Sequence, residues 1–531
     1  MKTRLFIVLF VVFSSLSFAQ NKDTVDVIPG FNTLSEQIES DIQRGVDVGN
    51  RVYRLANGQP YLLDHTMEIN FPLTLICPDG EPALVQAAKD INGSSPSDLF
   101  HIYKDVYVEN IAFSGVDNGG AVRLRVFVLQ TDSLTAEAHK CIFELARLNV
   151  FSSNGLYAKI KFTNCIFNNC LTDNNLYNGR AFDDRQNVVE SFYAENCSFI
   201  NMRSPIHFWG TLVKNYYVNH CTFYNTTMYV RGFSTGVNVT FTNNNLVNTG
   251  IYPIAFNPAT NVDTAEGFQV PGVVDVDTLS HELASEDQKK WTVKNNNYYF
   301  SQNVLDFFSS LDDTLVLRPW ISSHDSAFAA KYPQRYDIEV ALSENPNFIN
   351  APQTDTLIKW IGLYLSGERS TDKLPDTRFL PDGYVDENGI AYLAYKYYDF
   401  SYDKNNPLYS AGTDGKPIGD LQWFQNITSV ERVTDVIPTN IKLNQNYPNP
   451  FNPTTNITYE LPKQSNVTIT VYNSLGQEVI RLVNNEMQSA GTYKITWSGK
   501  DAYGNSLASG IYYYQLNTDD VVLSKKMILL K

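Results

Sequence analysis

A short phrase of polar and apolar residues recurs through the middle of the chain. Each copy begins with Asn, Lys or His and ends with an apolar residue, usually Phe, and four copies have Cys in second place. The copies are NIAF at 110–113, KCIF at 140–143, NCIF at 164–167, NCSF at 196–199, HCTF at 220–223 and NNNL at 243–246. Successive copies end 30, 24, 32, 24 and 23 residues apart, and a weaker echo, NNYYF, follows at 296–300.

This spacing predicts a parallel β-helix. The region is rich in Asn, β-branched and aromatic residues, and it lacks the periodicity of an α-helix. A unit of this length suits one coil, whose short strands pair with the coils above and below. Apolar residues would stack inside the coils, and asparagine would take left-handed backbone at the corners. A β-sandwich or a propeller is the alternative, but one phrase recurring at coil length favours the β-helix.

The repeated phrases from Tyr53 to Asn350 resemble those of the pectate-lyase-like family of right-handed parallel β-helices. The resemblance implies an all-β fold class with a right-handed β-helix over residues 20–350. A helical segment within 34–54 is predicted to cap its open end. The repeat fades at 345–352, and residues 351–425 are predicted to form a C-terminal wrap or cap over the last coils.

The C-terminal part of the chain has a different pattern. The segments ITYEL, VTITVYN, EVIRLV, GTYKITWSG, GIYYYQL and VLSKKMILL alternate apolar and polar residues, with turn sequences between them. This period of two predicts a small immunoglobulin-like antiparallel β-sandwich at 444–531, after a linker at 426–443. Prolines at positions 448, 450 and 453 exclude a helix at its start.

Four motifs of this module, in this order, resemble the type IX secretion sorting domain. They are YPNPFNPTT at 447–455, VYNSLGQ at 471–477, GIYY at 510–513 and KKMILLK at 525–531. The resemblance implies recognition by the export machinery of the outer membrane and a Bacteroidetes-like source. The sorting-signal residues that it implies are Pro448, Asn449, Pro450, Phe451, Gly476, Gly510, Lys525 and Lys526. The alternative is an immunoglobulin-like stalk without a sorting role.

The first residues have the pattern of a secretory signal peptide. Lys2 and Arg4 precede an apolar run at 5–13, and residues 17–19 (Ser-Phe-Ala) offer a cleavage site. We therefore expect residues 1–19 to be removed and the protein to be secreted or displayed on the outer cell surface, through the periplasm. The apolar run is too short to span a bilayer, and no later segment is long enough, so no membrane span is expected.

Composition narrows the range of partners. The net charge of −15 argues against nucleic acid or an anionic membrane surface, because neither offers countercharge to an acidic protein. The partners we consider are the type IX secretion machinery and a polysaccharide, and we expect a monomer.

The cysteines follow the repeat. Cys141, Cys165, Cys197 and Cys221 occupy the same position of the phrase, which predicts buried free thiols rather than disulfides. Metal spacing of the CxxC kind is absent, so we predict no metal ligands and no cofactor. GVDNGG at 115–120 has some features of a calcium-binding loop, but it lacks the acidic ladder of an EF-hand and is interpreted as a loop without calcium.

One stretch, NLYNGRAFDDRQN at 175–187, gathers four charges in a coil of 32 residues, about eight longer than the coils of 24. They fit two interpretations, a salt-bridged clamp or a ligand site. Asp183 lies fourteen residues before Cys197, and His207 lies fourteen before Cys221. This register predicts that both stack on one face with Arg231. The predicted substrate-binding residues are Arg180, Asp183, Asp184, Arg185, His207 and Trp209.

Function stays open between three hypotheses, because no nucleophile elbow, zinc motif, P-loop or dinucleotide fingerprint occurs. The favoured one is an exported surface protein that binds or processes a carbohydrate polymer. The second is a polysaccharide lyase acting on a uronic-acid glycan, with Lys214 and Arg231 as catalytic pair, since elimination needs a base and a cation for the sugar carboxylate. TMYVRGFSTG at 227–236 faintly resembles alginate and chondroitin lyases, although the spacing to Lys214 is short. The third is a non-catalytic adhesin or surface structural protein. If the protein is an enzyme, a lyase is favoured over a glycoside hydrolase.

Overall fold

The computed structural model divides the chain into two compact units, Asp23–Trp423 and a second that contains Phe424–Lys531. Each is described by itself. The described residues are 23–122, 125–146, 148–170, 179–208, 212–228, 235–251, 254–255, 272–274, 276, 286–311, 315–366, 384–424, 431–434, 438–463, 465–488, 490–500, 507–518 and 521–530.

The strands of the first unit are short. In chain order they are β1 (Asp23–Asp26), β2 (Gly30–Phe31), β3 (Arg51–Arg54), β4 (Pro60–Leu63), β5 (Met67–Ile69), β6 (Leu73–Ile76), β7 (Ala83–Ala87), β8 (Asp98–Ile102), β9 (Val106–Glu109), β10 (Ile111–Asp117), β11 (Arg125–Leu129), β12 (Thr135–His139), β13 (Ile142–Glu144), β14 (Asn149–Ser153), β15 (Ala158–Thr163), β16 (Ile166–Asn168), β17 (Arg180–Asp183), β18 (Val189–Glu195), β19 (Ser198–Ile200), β20 (Ser204–His207), β21 (Val213–Asn219), β22 (Thr222–Thr226), β23 (Gly236–Thr242), β24 (Asn245–Thr249), β25 (Ile254–Ala255), β26 (Lys290–Lys294), β27 (Asn297–Tyr299), β28 (Leu315–Val316) and β29 (Tyr336–Ile338).

Three parallel sheets run along this unit. The eleven-stranded sheet has the order β1-β3-β6-β9-β12-β15-β18-β21-β23-β26-β29. The ten-stranded sheet has the order β2-β4-β7-β10-β13-β16-β19-β22-β24-β27, and the six-stranded sheet β20-β17-β14-β11-β8-β5. The chain visits the sheets in turn and returns to each one rung further along, so the predicted parallel β-helix is confirmed.

The repeated phrase sets the register of the ten-stranded sheet. Its phenylalanines at 113, 143, 167, 199 and 223 are buried and stack with ring centroids 5.3, 4.9, 5.0 and 4.9 Å apart. The first residue of each phrase forms the preceding corner with left-handed backbone, as predicted. These corner residues, with φ between 49° and 59°, are Asn110, Lys140, Asn164, Asn196, His220 and Asn243.

A buried asparagine ladder forms the next corner, after the ten-stranded sheet. Asn169, Asn201, Asn225 and Asn248 all have left-handed backbone and at most 7% exposure. The side-chain amide of Asn201 donates to Asn169 over 3.0 Å, and the amides of Asn225 and Asn248 each donate to the preceding rung over 3.3 Å. Asparagine suits this position because it tolerates left-handed backbone and carries both a donor and an acceptor.

The cysteines are free and buried, as predicted. Burial raises the pKa of the Cys141, Cys165 and Cys197 thiols well above the ordinary value, and that of Cys170 to about 12. Because the thiolate is the reactive form, these side chains act as small apolar residues.

The α-helices of the described residues lie towards the ends of the coil stack. They are α1 (Thr33–Gln43), α2 (Gln302–Ser309), α3 (Ser323–Lys331) and α4 (Thr354–Leu365). Helix α1 contacts β2 and β4 and contributes Leu34 and Ile38 to the main core. Helix α3 contacts β29, whereas α2 and α4 pack on each other. Short 3₁₀ turns occur at Val48–Asn50, Glu286–Gln288, Ala394–Tyr397, Pro407–Ser410 and Leu421–Trp423.

Residues 384–423, here called the strap, lie over the outer face of the ten-stranded sheet. The apolar residues that the sheet turns outward pack against Ala391, Ala394, Tyr398 and Phe400 of the strap. They are Leu84, Ala112, Ile142, Ile166, Ile200, Tyr224 and Val247. The strap therefore buries apolar surface that the coils leave on their outside.

Polar side chains of the sheet fix the backbone of the strap. Gln86 donates to the carbonyl of Gly389 over 2.8 Å and accepts from the amide of Ala391 over 2.9 Å. Further along, the amide of Ala394 donates to both carboxylate oxygens of Glu144 over 3.0 Å. Since these groups are buried, leaving them unpaired would cost free energy, which holds the strap in one position.

The second unit contains an antiparallel β-sandwich. Its strands are β30 (Glu431–Thr434), β31 (Lys442–Leu443), β32 (Thr455–Leu461), β33 (Ser465–Asn473), β34 (Glu478–Gln488), β35 (Gly491–Trp497), β36 (Gly510–Thr518) and β37 (Val522–Leu529). They form two four-stranded sheets of order β30-β35-β32-β31 and β34-β33-β36-β37. Burial alternates along β32, as the period of two predicted, and the sandwich is confirmed. No helix in the described ranges is long and apolar enough to cross a membrane.

We predict that Asn225→Ala lowers the free energy of unfolding by about 2–4 kcal/mol, because it removes the buried amide that donates to Asn201 and the oxygen that accepts from Asn248 and Thr354, and places alanine in left-handed backbone. Asn347→Ala is the matched control, since Asn347 has the same backbone conformation, with φ of 51°, but is exposed. It should lose only about 1 kcal/mol. Urea unfolding of the full chain measures both, and equal losses would contradict a stabilising ladder.

Candidate ligand-binding face

The outer faces of the three sheets differ in their exposure to solvent. The strap covers the ten-stranded sheet. On the six-stranded sheet, successive side chains point to opposite sides, so Asp183 and His207 point outward while Phe182 and Ile206 lie in the core. Both outward residues are nevertheless buried. Along the eleven-stranded sheet from β15 to β23, by contrast, most outward residues are half-exposed.

The predicted register of Asp183 and His207 is confirmed. The two residues are directly paired on β17 and β20, and Arg180 is paired with Ser204 in the same ladder. The side chains of Arg180 and Asp183 are only 4% and 2% exposed. These residues share one face, as the cysteine spacing indicated, but that face is covered at this point.

Asp183 is held by partners within the chain. Its Oδ2 accepts from Nη1 of Arg180 over 2.5 Å and from the amide of Asn149 over 2.9 Å, and its Oδ1 accepts from the backbone N–H of Arg185 over 3.0 Å. Burial lowers the pKa of Arg180 from its ordinary value, and the charge of Asp183 opposes this. The pair therefore has the geometry of a buried ion pair.

The following residues form a tight turn. Asp184 is buried, and its Oδ1 accepts from the backbone N–H of Gln186 over 3.1 Å. Arg185 and Gln186 have left-handed backbone, with φ of 53° and 67°, and both are exposed. Among the four charged residues of this stretch, Arg185 alone is open to solvent, so the geometry favours the clamp interpretation.

A second charged cluster lies on β5, β8 and β11 of the same sheet. His101 contacts the carboxylates of Glu68 over 2.9 Å and Asp98 over 3.2 Å through its two ring nitrogens. Arg125 donates twice to Asp98, over 2.5 and 3.0 Å. These side chains are also paired with one another, so their charged groups are already engaged within the cluster.

The remaining predicted site residues do not join this group. Trp209 and Arg231 lie outside the described residues. Lys214 lies on β21 of the eleven-stranded sheet, where its ammonium group contacts Glu190 over 2.7 Å and lies 4.8 Å from the ring centre of Tyr157. The structure thus places Lys214 on a different sheet from Asp183 and His207.

A pair of tyrosines occupies the middle of the open face. Tyr193 and Tyr217 are paired on β18 and β21, and their rings stack with centroids 4.5 Å apart and planes 5° from parallel. Tyr193 donates a hydrogen bond to Glu195, and Tyr217 donates to the same carboxylate over 3.4 Å. Asn219 adds a third donor over 3.2 Å. These four residues are called the tyrosine patch below.

The hydroxyls of the patch are proton donors rather than bases. Burial, followed by the negative charge of Glu195, raises the pKa of Tyr193 and of Tyr217 well above the ordinary value. A catalytic base needs a pKa near the operating pH, so neither tyrosine suits proton abstraction. Both suit hydrogen bonding and apolar contact.

Neutral and paired polar groups surround the patch. Asn238 donates to Asn215 over 3.0 Å, and Thr242 donates to Asn219 over 2.9 Å. On the preceding rungs Lys161 contacts Glu137 over 3.4 Å. The face is therefore a flat array of amides, hydroxyls and ion pairs with two aromatic rings at its centre.

The cysteine spacing that aligns Asp183 with His207 also aligns the patch, whose residues are not among the predicted site residues. Tyr193 lies four residues before Cys197, and Tyr217 lies four before Cys221. The spacing therefore contains a signal for the patch that the charged positions alone do not reveal.

In the second unit, the predicted sorting segment is fixed to the last strand. The backbone N–H of Phe451 donates to the carbonyl of Ile528 over 3.0 Å, and that of Leu530 donates to the carbonyl of Phe451 over 2.8 Å. Asn449 accepts from the backbone N–H of Ile528 over 2.9 Å, and the Phe451 ring packs on Trp497. The two ends of the module's sequence, including Pro448 and Pro450, are thus joined in space.

The other predicted sorting residues lie at turns or on the surface. Gly476 has φ of 78° in an exposed turn, where the side chain of Asn473 accepts from the backbone N–H groups of Leu475 and Gln477. Gly510 begins β36 and pairs with Leu529. The side chains of Lys525 and Lys526 on β37 are exposed.

No group of three or more His, Cys, Asp or Glu side chains in the described ranges could hold a metal ion.

Comparison with known protein families concerns the C-terminal module. A family model for the FlgD Ig-like domain matches residues 445–520. Among solved structures, PorZ, described as an essential bacterial surface component of the type-IX secretion system of Porphyromonas gingivalis, is 18% identical over 17% of this chain and 11% of its own, with a TM-score of 0.13. Dimeric latent PorU from Porphyromonas gingivalis is 22% identical over 19% and 10%, with a TM-score of 0.15. The chain thus spans about a tenth of these solved proteins. No curated protein matches it.

We predict that Asp183→Ala lowers the free energy of unfolding by about 3–5 kcal/mol, because it removes the carboxylate that the buried Arg180 contacts. Arg185→Ala is the control and should change stability by less than about 1 kcal/mol, since its side chain is exposed. Thermal unfolding followed by circular dichroism compares the two variants. A neutral effect of Asp183→Ala would show that the pair is not a clamp.

Proposed function

We propose that the protein is exported to the cell surface or medium and binds a carbohydrate polymer along the outer face of the eleven-stranded sheet. The tyrosine patch supports this proposal most directly. It combines half-exposed aromatic rings with a carboxylate and an amide on a rigid sheet. The predicted sugar groove on the six-stranded sheet has less support, because Asp183 and His207 are buried.

The chemistry of this face suits sugars. A sugar ring has apolar C–H faces and a rim of hydroxyls, so it needs apolar surface beside hydrogen-bonding groups. Tyr193 and Tyr217 supply the apolar surface, and Asn215, Asn219 and Asn238 supply amides close by. The rungs repeat about every 4.8 Å, which presents similar groups at regular intervals to a polymer lying along the sheet.

Binding is favoured over catalysis at this face. The tyrosine hydroxyls stay protonated and Lys214 is paired with Glu190, so the tyrosines do not supply the base and Lys214 does not supply the unpaired cation that elimination needs. The lyase hypothesis would rest on Arg231, which is outside the described residues.

We further propose that the C-terminal module is the export signal. Its motifs resemble the type IX sorting domain, and residues 445–520 match an Ig-like family model. The exposed Lys525 and Lys526 lie on the strand to which the PNPF segment at 448–451 is fixed, so these two motifs are neighbours within the module.

We predict that Tyr217→Ala weakens binding of the full-length protein to its polysaccharide about tenfold, which corresponds to about 1.4 kcal/mol of lost contact. Tyr397→Ala is the control, because it removes a more open tyrosine ring, 49% exposed, from the strap. The ligand is first chosen from a glycan array and then titrated by calorimetry.

The absorbance of unsaturated products is followed in the same samples, because its appearance would restore the lyase hypothesis. Equal affinity of both variants would exclude the patch, and no binding to any glycan would favour the adhesin or structural role.

We predict that the double variant Lys525→Ala/Lys526→Ala accumulates in the periplasm of a type IX-competent bacterium, whereas the wild type reaches the surface or medium. Lys442→Ala/Lys463→Ala is the control and should be exported normally, since both lysines are exposed but lie outside the resembling motifs. Cell fractionation and immunoblotting measure the distribution. Normal export of the first variant, with unchanged thermal unfolding, would count against a role for these lysines in sorting.

A further inference from the structure

The central part of the eleven-stranded sheet, from β9 to β23, carries slightly more negative than positive charge on its outer face. From β9 to β23 its charged side chains, apart from one histidine, are four carboxylates and three lysines. They are Glu109, Glu137, Glu190, Glu195, Lys159, Lys161 and Lys214. A surface of this kind offers no excess of cations to an anionic polymer.

The carboxylate at the centre of the face is held by neutral groups. In the described part of the chain, the side-chain hydrogen bonds of Glu195 are with the hydroxyls of Tyr193 and Tyr217 and the amide of Asn219. These donors fix its position without cancelling its charge. A ligand that lies on the tyrosine rings therefore meets a negative charge at hydrogen-bonding distance from them.

Two of the three lysines are already paired. Lys161 contacts Glu137, and Lys214 contacts Glu190. Binding the carboxylates of a polyuronate with these lysines would require breaking both ion pairs and leaving the two glutamates near the ligand. Lys159, at the start of β15, is the one lysine of this group outside those pairs.

We infer that the ligand of this face is an uncharged, hydroxyl-rich polysaccharide rather than a polymer of uronic acids. This inference rests on the proposed function and specifies its ligand class. The sugar hydroxyls would bond to the carboxylate of Glu195 and to the amides of Asn215 and Asn238, and the C–H surface would contact the tyrosine rings. A uronic acid would place a second carboxylate beside Glu195, where like charges repel.

The test uses the full-length protein and two panels of polymers. The neutral panel contains β-glucan, mannan, xylan and starch, and the anionic panel contains alginate, polygalacturonate and hyaluronan. Affinity electrophoresis at low and high salt gives the ranking. We expect the tightest binding to a neutral polymer, by at least about tenfold, and little change with salt because no ion pairs form.

Glu195→Gln tests the role of the central charge. It should shift the ratio of polyuronate to neutral-polymer affinity several-fold towards the polyuronate, because the amide does not repel a carboxylate. Glu39→Gln, which removes an equal charge from the exposed side of α1, should leave the ratio unchanged.

The outcomes separate this inference from the proposed function. Tightest binding to a polyuronate, weakened by salt, would overturn the neutral ligand class while leaving carbohydrate binding in place. No binding to either panel would overturn the proposed function and this inference with it. An unchanged ratio in Glu195→Gln would show that the central charge does not select the ligand.

Discussion

The register between successive coils is the constraint on which the rest of the structure depends. In a parallel sheet, a shift by one residue would turn every side chain to the opposite face. Here the two corners on either side of the ten-stranded sheet prevent such a shift. One is a single residue in left-handed backbone, and the other carries the buried asparagine ladder, in which each amide bonds to the rung before it. Any chain slippage would break these bonds in a place that water does not reach.

A fixed register also makes the three outer faces independent of one another. The inward residues are apolar on all sheets, so the outward positions can differ without disturbing the core. On the ten-stranded sheet they anchor the strap, on part of the six-stranded sheet they form a buried ion pair, and on the eleven-stranded sheet they meet solvent. A buried pair such as Arg180–Asp183 specifies one arrangement, whereas a half-exposed patch such as Tyr193–Tyr217 can contact another molecule.

The sequence predicted what the repeat controls. Spacing between the phrases was enough for the β-helix, the left-handed corners, the free cysteines and the pairing of Asp183 with His207. The spacing could not predict which outward residues are exposed to solvent, because burial of an outward residue depends on segments far away in the chain. Asp183 and His207 therefore have the predicted neighbours in a setting that does not suit a groove. The tyrosine patch shows the converse case. Tyr193 and Tyr217 follow the same spacing, but aromatic residues in a strand lie more often in the core than on the surface, so their position on the open face could not be predicted. The strap contacts could not be predicted either, since Gln86 and Glu144 meet backbone more than two hundred residues later.

The position of the strap in the chain has a consequence for the order of assembly. Every coil that it covers precedes it in the sequence, so the coil stack can form while the strap is still being made or transported. During that interval, the outward apolar residues from Leu84 to Val247 would face water as one side of the stack. Large exposed apolar areas favour association with other chains. The partly assembled protein would therefore need protection of this apolar side. That need would end when the last residues of the strap pack onto the β-helix.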